Sequence, residues 1–274
     1  MTTVLTRPAD EDHDDPRVVP PVPVVDGAAP AVDIDAVTKV FGTRGRSVAA
    51  LDRVSLSVAP GEFVCLLGAS GCGKSTLLNL IAGLDRPTSG TVRVGGRPAL
   101  MFQESALFPW LTITKNVELP MRLAGVSRAE RKERAAELIR TVHLDGFGDK
   151  RPHQLSGGMR QRAALARAFA QEADILLMDE PFGALDAMTR DILHDELERI
   201  WREQNLTVLF VTHNVREAVR LGDRVVLLSS RPGRVIEDFK IAHDRPRRID
   251  SPEVSGQAGE ITDRLRAEVA RHAG

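Results

Sequence analysis

Apolar and polar residues alternate along this chain in two distinct ways. Unbroken apolar runs, Phe63-Val64-Cys65-Leu66-Leu67, Ile175-Leu176-Leu177-Met178 and Thr207-Val208-Leu209-Phe210-Val211, read as short strands buried on both faces of a parallel sheet. Val32, Ile34 and Val37, and then Val54, Leu56 and Val58, are instead spaced by polar residues, as in half-buried strands. Pro60-Gly61 and Pro87-Thr88-Ser89-Gly90 supply turns, the second leading into Thr91-Val92-Arg93-Val94, so an antiparallel layer is expected beside the parallel one. Between Ser127 and His143 the spacing becomes helical: Ala135, Leu138, Ile139 and Val142 share a face and the charges alternate in sign. A further helix is predicted over Ser156 to Gln171, which makes residues 103–171 a mainly helical subdomain inserted into an α/β core. Ile261, Leu265 and Val269 predict a short closing helix.

Composition bounds this picture without changing it. With 274 residues and 42% hydrophobic content, the chain can bury one large domain with a subdomain. A formal net charge of −1 gives no global electrostatic case for nucleic acid, although Asp10 to Asp15 is acidic and Arg245 to Arg248 basic. Residues 1–30 are rich in Pro, Asp and Val and lack a signal-peptide pattern, so they read as a disordered acidic tail. No apolar run approaches the ~18 to 20 residues of a membrane span. Cys65 and Cys72 do not make a disulfide framework, and a bridge at Cys72 would obstruct the glycine-rich loop that contains it.

That loop carries the chemistry. Gly68-Ala69-Ser70-Gly71-Cys72-Gly73-Lys74-Ser75-Thr76 follows a buried strand and opens a helix, the context in which backbone N–H groups wrap a polyphosphate. Lys74 is expected to reach the β- and γ-phosphates of a bound nucleotide, and the Ser75 hydroxyl to ligate Mg²⁺. Asp179 ends a buried strand and suits the same ion, through water, while the adjacent Glu180 is placed to orient or deprotonate an attacking water. His213 is delivered to the same sheet edge, where it is either a γ-phosphate donor or a structural histidine. Phe41 is read in a loop between the first two strands, as an adenine-stacking ring or a cover for the core. Phe108 and Trp110 are equally open, as an exposed docking pair or as packing inside the helical subdomain.

Leu155-Ser156-Gly157-Gly158-Met159-Arg160-Gln161 is a second phosphate-binding helix start without a lysine. With it the sequence resembles the ATP-binding cassette (ABC) ATPases over nearly all of Val32 to Val235. Phe41, the Gly68–Thr76 loop, Gln103, the signature Ser156-Gly157-Gly158, Asp179-Glu180, Asp186 of the following loop and His213 occur in the family's order, with Met159 at a position where Gln is frequent. The resemblance implies an α/β fold of the P-loop NTPase class, with a RecA-like core, an antiparallel β-subdomain and an α-helical subdomain. The cassette would span residues 31–235 and be followed by a C-terminal extension over 236–274. It also implies an ATPase with ATP and Mg²⁺ as cofactors, Gln103 joining Ser75 and Asp179 at the metal. Ser156 to Gly158 of one copy would complete, in trans, the site of the other copy in a homodimer. Such a subunit works peripherally at the cytoplasmic face of the membrane, with a separate permease and, through it, a solute receptor.

Phe108-Pro109-Trp110-Leu111-Thr112 and Arg231-Pro232-Gly233 look like the nitrate, sulfonate and taurine importer branch, with aliphatic sulfonate the first choice of solute. The competing class is a lipoprotein-release or cell-division cassette. Asn214 departs from the pattern, since Asp commonly follows the histidine.

Overall fold

A computed structural model of the chain describes residues 29–42 and 47–272, so the acidic tail expected over residues 1–30 lies almost wholly outside the described residues. The first half runs β1 (Val32–Phe41), β2 (Val48–Val58), β3 (Phe63–Leu67), α1 (Lys74–Ile81), β4 (Ser89–Val94), β5 (Pro98–Met101), α2 (Ile113–Leu123) and α3 (Arg128–Thr141). The second runs α4 (Gly157–Phe169), β6 (Ile175–Asp179), α5 (Ala187–Gln204), β7 (Thr207–Val211), α6 (Val215–Leu221), β8 (Arg224–Leu228), β9 (Val235–Lys240) and α7 (Pro252–His272).

β2, β1 and β4 form the antiparallel layer. Both of its first strands are longer than the alternation predicts. Register shifts between Ile34 and Val37 and between Val37 and Lys39 break the period of two, which hides the continuation of β1 to Phe41. Phe41 therefore ends a strand, where a loop position was expected.

The second sheet has the order β5-β6-β7-β3-β8-β9 and is parallel except for β9. Its central strands are apolar throughout because both faces are covered. In β3, Phe63, Cys65 and Leu67 enter the hydrophobic cluster shared with α2 to α6, and Val64 and Leu66 enter the one shared with α1 and the antiparallel layer. Burying each such side chain is worth about 1.5–3 kcal/mol. Parallel pairing also sends the C-terminal ends of β3, β5, β6 and β7 to one edge, where the loop beginning at Gly68, Gln103, Asp179-Glu180 and His213 follow.

Four helices start on side chains read in the sequence as polar punctuation or as site residues. Ser127, Ser156, Asp186 and Asn214 each accept a hydrogen bond from a backbone N–H of the first turn that follows. α7 departs most from expectation. It spans 21 residues and begins at Pro252, well before Ile261. Val254 and Ala258 are buried with Ile261 and extend the apolar stripe toward the N-terminus. Gly256 and Gly259, poor helix formers, obscure that stripe in the sequence.

The basic run near Arg245 has a structural use. Arg245 pairs with Asp223 at 2.8 Å and lies 4.5 Å from the Trp201 ring, and Arg247 donates to the carbonyls of Val219 (3.0 Å) and His243 (2.9 Å). Burial, reinforced by neighbouring Arg245, lowers the Arg247 pKa to about 10.

A buried polar network ties α5 and α6 to the end of β7. Glu217 accepts from the Thr212 hydroxyl and bonds His194 Nε2 at 2.7 Å, and Arg220 lies 2.9 Å from His194 Nδ1. Since Arg220 can only donate, His194 Nδ1 accepts and Nε2–H donates to Glu217. Thr212 Oγ1 in turn accepts from the Asn214 N–H at 3.0 Å, which pins the backbone on both sides of His213. Glu217→Ala would strand His194 and Thr212 away from water. We expect it to lower the free energy of urea unfolding by about 3–5 kcal/mol, with Glu217→Gln costing less because its amide oxygen still accepts from Thr212.

Candidate nucleotide site

The loop after β3 is shaped by what surrounds it. Gly73 has φ +104°, and a Cβ there would lie 2.6 Å from Leu51 Cδ2 and 2.7 Å from the Ala50 carbonyl. Gly68 is similarly constrained, with φ +155° and a Cβ position 2.7 Å from Cys72 Sγ. Only glycine meets both the backbone and the space requirement. Cys72 is buried and packs inward, and Lys74 donates to the carbonyls of Gly68 (2.8 Å) and Ala69 (3.0 Å).

Above the loop lies a cleft of about 490 Å³. Ser70, Gly71, Gly73, Lys74, Ser75 and Thr76 line it together with Phe41, Gln103, Asp179 and Glu180. Gly68, Ala69 and Cys72, expected at the nucleotide, shape the loop from behind and do not line the cleft. Phe41 is 44% exposed at its rim and so does not cover the core, and Lys39 Nζ sits 4.9 Å from the ring centroid.

At the deep end the carboxylates divide their work. Asp179 is buried and hydrogen-bonded to the Ser75 hydroxyl; burial raises its pKa most, neighbouring Glu180 adds to the rise, and Ser75 and Lys74 oppose it. Glu180 is held on two sides, by Gln103 Nε2 at 3.3 Å and by His213 Nδ1 at 3.3 Å. It also adopts φ +48°, a left-handed conformation that turns its side chain away from the direction Asp179 takes along β6. His213 itself is largely exposed.

The Ser75 and Asp179 oxygens form a hard donor pair suited to Mg²⁺. Among the described residues no group of three or more acidic, histidine or cysteine side chains could hold a metal. Such an ion would therefore draw most of its remaining ligands from phosphate and water.

Ser156, Gly157 and Gly158 do not reach this cleft within the chain. They start α4, where Gln161 Oε1 accepts from Ala184 N at 3.0 Å and joins the helix to the loop that ends at Asp186. Asp186 caps α5, and the Thr189 backbone N–H holds its carboxyl below the usual range.

Three contributors were missed in the sequence. Arg231 lines the cleft and donates Nε to the Gly71 carbonyl at 3.1 Å. Glu217 supports the backbone around His213. Asn116, fully buried on α2, accepts from Phe108 N (2.8 Å) and donates to the carbonyls of Phe108, Leu111 and Thr112. It thereby fixes a loop on which Phe108 and Trp110 are exposed, with ring centroids 5.4 Å apart. Of the two readings of these rings, the structure supports the exposed pair.

Several known proteins are similar to this chain. The family model described as ABC transporter matches residues 51–183. An uncharacterised ABC transporter ATP-binding protein of Methanocaldococcus jannaschii is 47% identical over 87% of this chain and 92% of its own length. A nitrate import ATP-binding protein of Synechocystis is 45% identical over 77% of this chain and 82% of its own. A taurine import ATP-binding protein of Rhizobium johnstonii is 45% identical over 85% and 94%. Among solved structures, the dimeric ATP-binding cassette MJ0796 bound to ADP and Pi superposes with a TM-score of 0.73 at 35% identity, covering 78% of this chain and all of that one.

The raised pKa of Asp179 has a measurable consequence. Folding must bury its charge, so it costs stability at any pH above the ordinary carboxylate range; below that range the group is neutral folded and unfolded, and the cost vanishes. Asp179→Asn is expected to raise the melting temperature of the nucleotide-free protein at neutral pH. The gain should disappear below the ordinary carboxylate range, and calorimetry across that range checks both parts.

Proposed function

This chain belongs to the ABC transporter family of ATP-binding proteins, and from that premise we infer that it is the ATP-hydrolysing subunit of an importer for small anionic solutes of the nitrate and taurine kind. The observation that carries the reading is the convergence of Lys74, Ser75, Gln103, Asp179 and Glu180 on one cleft beside a glycine-shaped loop. Names of relatives at 45% identity supply the solute class. Aliphatic sulfonate is our specific choice within it.

The chemistry follows from the placement of the groups. Lys74 and the N-terminus of α1 neutralise the developing phosphate charge, and bound Mg²⁺ would add Lewis-acid polarisation of the terminal phosphate. Gln103 and His213 orient the Glu180 carboxylate, which takes the proton of the attacking water. Ser156 to Gly158, remote from the cleft of their own chain, serve the cleft of a second copy, with Asp186 in the adjoining loop. Supplying a charge-stabilising group in trans is worth about 10³ to 10⁵ in rate. Turnover is thereby confined to the dimer.

Among the described residues no helix is long and apolar enough to cross a membrane. By analogy with relatives named as import ATP-binding proteins, the subunit acts from the cytoplasmic face through a separate permease, which we place on the Phe108 and Trp110 surface. Trp110 is 67% exposed, as an aromatic docking anchor requires. The solute receptor is reached only through that permease, and no nucleic acid partner is involved.

Glu180→Gln should retain ATP binding by calorimetry and accumulate an ATP-bound dimer on gel filtration, with turnover reduced by about 10² or more. Unchanged turnover removes Glu180 from the base role. Trp110→Ala should leave the basal ATPase rate of the isolated subunit intact and abolish its stimulation by solute-loaded receptor in the reconstituted complex. Presenting taurine, nitrate and alkanesulfonates in that assay identifies the solute by which one stimulates turnover.

A further inference from the structure

The turn between β8 and β9 is built against the phosphate loop. Gly233 sits so close that a Cβ would lie 2.1 Å from the Cys72 carbonyl, and its N–H donates to the Ala50 carbonyl at 2.9 Å. Ser229 Oγ closes the turn internally, donating to the Pro232 carbonyl (2.7 Å) and accepting from Arg234 N (2.9 Å). Arg234 anchors it to Asp52 of β2 with Nε at 2.9 Å. This scaffold presents Arg231 at the cleft, exposed, with Nε on the Gly71 carbonyl and one terminal nitrogen 3.2 Å from where a Gly71 Cβ would stand.

Two observations argue that Arg231 does more than hold the loop. Among the described residues its terminal nitrogens have no carboxylate or carbonyl partner, whereas Arg234, three residues on, holds Asp52 through both Nε and a terminal nitrogen. Charge balance is the second. Among the described residues, the ionisable side chains lining the cleft are Lys74 and Arg231 against Asp179 and Glu180. Without Arg231 the described side chains of the cleft would sum to a net negative charge before any phosphate entered.

We propose that Arg231 is a second cationic ligand of the nucleotide phosphates, its Nε latching the Gly71 carbonyl while its terminal nitrogens bind phosphate oxygens. A guanidinium suits both tasks because its planar fork donates in two directions at once. The proposal rests on the cleft being an ATP site, and the test separates the two.

Full-length protein is titrated with ATP and with ADP by calorimetry, using the parent chain, Lys74→Ala, Arg231→Gln and Arg231→Lys, each checked for an unchanged melting temperature. Arg231→Gln is expected to weaken both nucleotides about five- to tenfold, in keeping with one exposed charge-assisted contact. Arg231→Lys should recover part of that loss. Parent-like affinity in Arg231→Gln overturns the proposal, as does equal loss in Arg231→Lys and Arg231→Gln, which would leave only the latch on Gly71. Failure of the parent to bind ATP, or undiminished binding by Lys74→Ala, instead overturns the ATP site itself. Should Arg231→Gln melt early, the comparison passes to Arg231→Lys, for which a loss of ATP affinity limited to less than that of Lys74→Ala is expected and no loss at all refutes the contact.

Discussion

A polyphosphate is best held by backbone N–H groups, and those converge only where the chain can turn through conformations that side chains forbid. The loop from Gly68 to Thr76 meets that constraint, and the rest of the molecule is arranged to keep it met. The spaces that side chains would occupy at Gly68 and Gly73 are filled by Cys72, Leu228, Leu51 and Ala50, so the glycines are tied to particular neighbours. One of those neighbours is in the loop itself, one ends β8 and two are on β2. The antiparallel layer is thus a wall of the phosphate site as well as a carrier for Phe41.

How much of this was legible in the sequence depended on the range of the forces involved. β3 and β7 were read to the residue, since a strand covered on both faces leaves an unbroken apolar run with turn residues at its ends. The cleft residues were legible for a related reason: a glycine-lysine loop and a strand-terminal acid have meaning within a few positions of themselves. β1, β2 and α7 were underestimated because bulges and glycines interrupt the periodicities that announce them. Asn116, Glu217 and Arg231 were missed on different grounds. A buried asparagine, a helical glutamate and a turn arginine look ordinary in sequence. Arg231 acquires its role from Gly71, 160 positions away.

Negative charge is concentrated where a phosphate must also go, and the two carboxylates that carry it sit in different surroundings. Asp179 lies in an environment that resists its charge, and a cation would relieve that resistance. Glu180 lies at the opening, turned by its left-handed backbone toward Gln103 and His213. Two adjacent acids thus have different surroundings because one is packed beneath the loop and the other is not.

Arg167 gives the helical subdomain a further property. From near the end of α4 it donates to the carbonyls of Ser105 and Ala106, immediately before the loop that Asn116 holds rigid. At the opposite end of the same helix stand Ser156 and Gly158. A 13-residue α-helix is about 20 Å long, so α4 is a stiff rod with the aromatic pair geared to one end and the signature to the other. The exposed aromatic pair and Ser156 to Gly158 are thus joined mechanically through one helix.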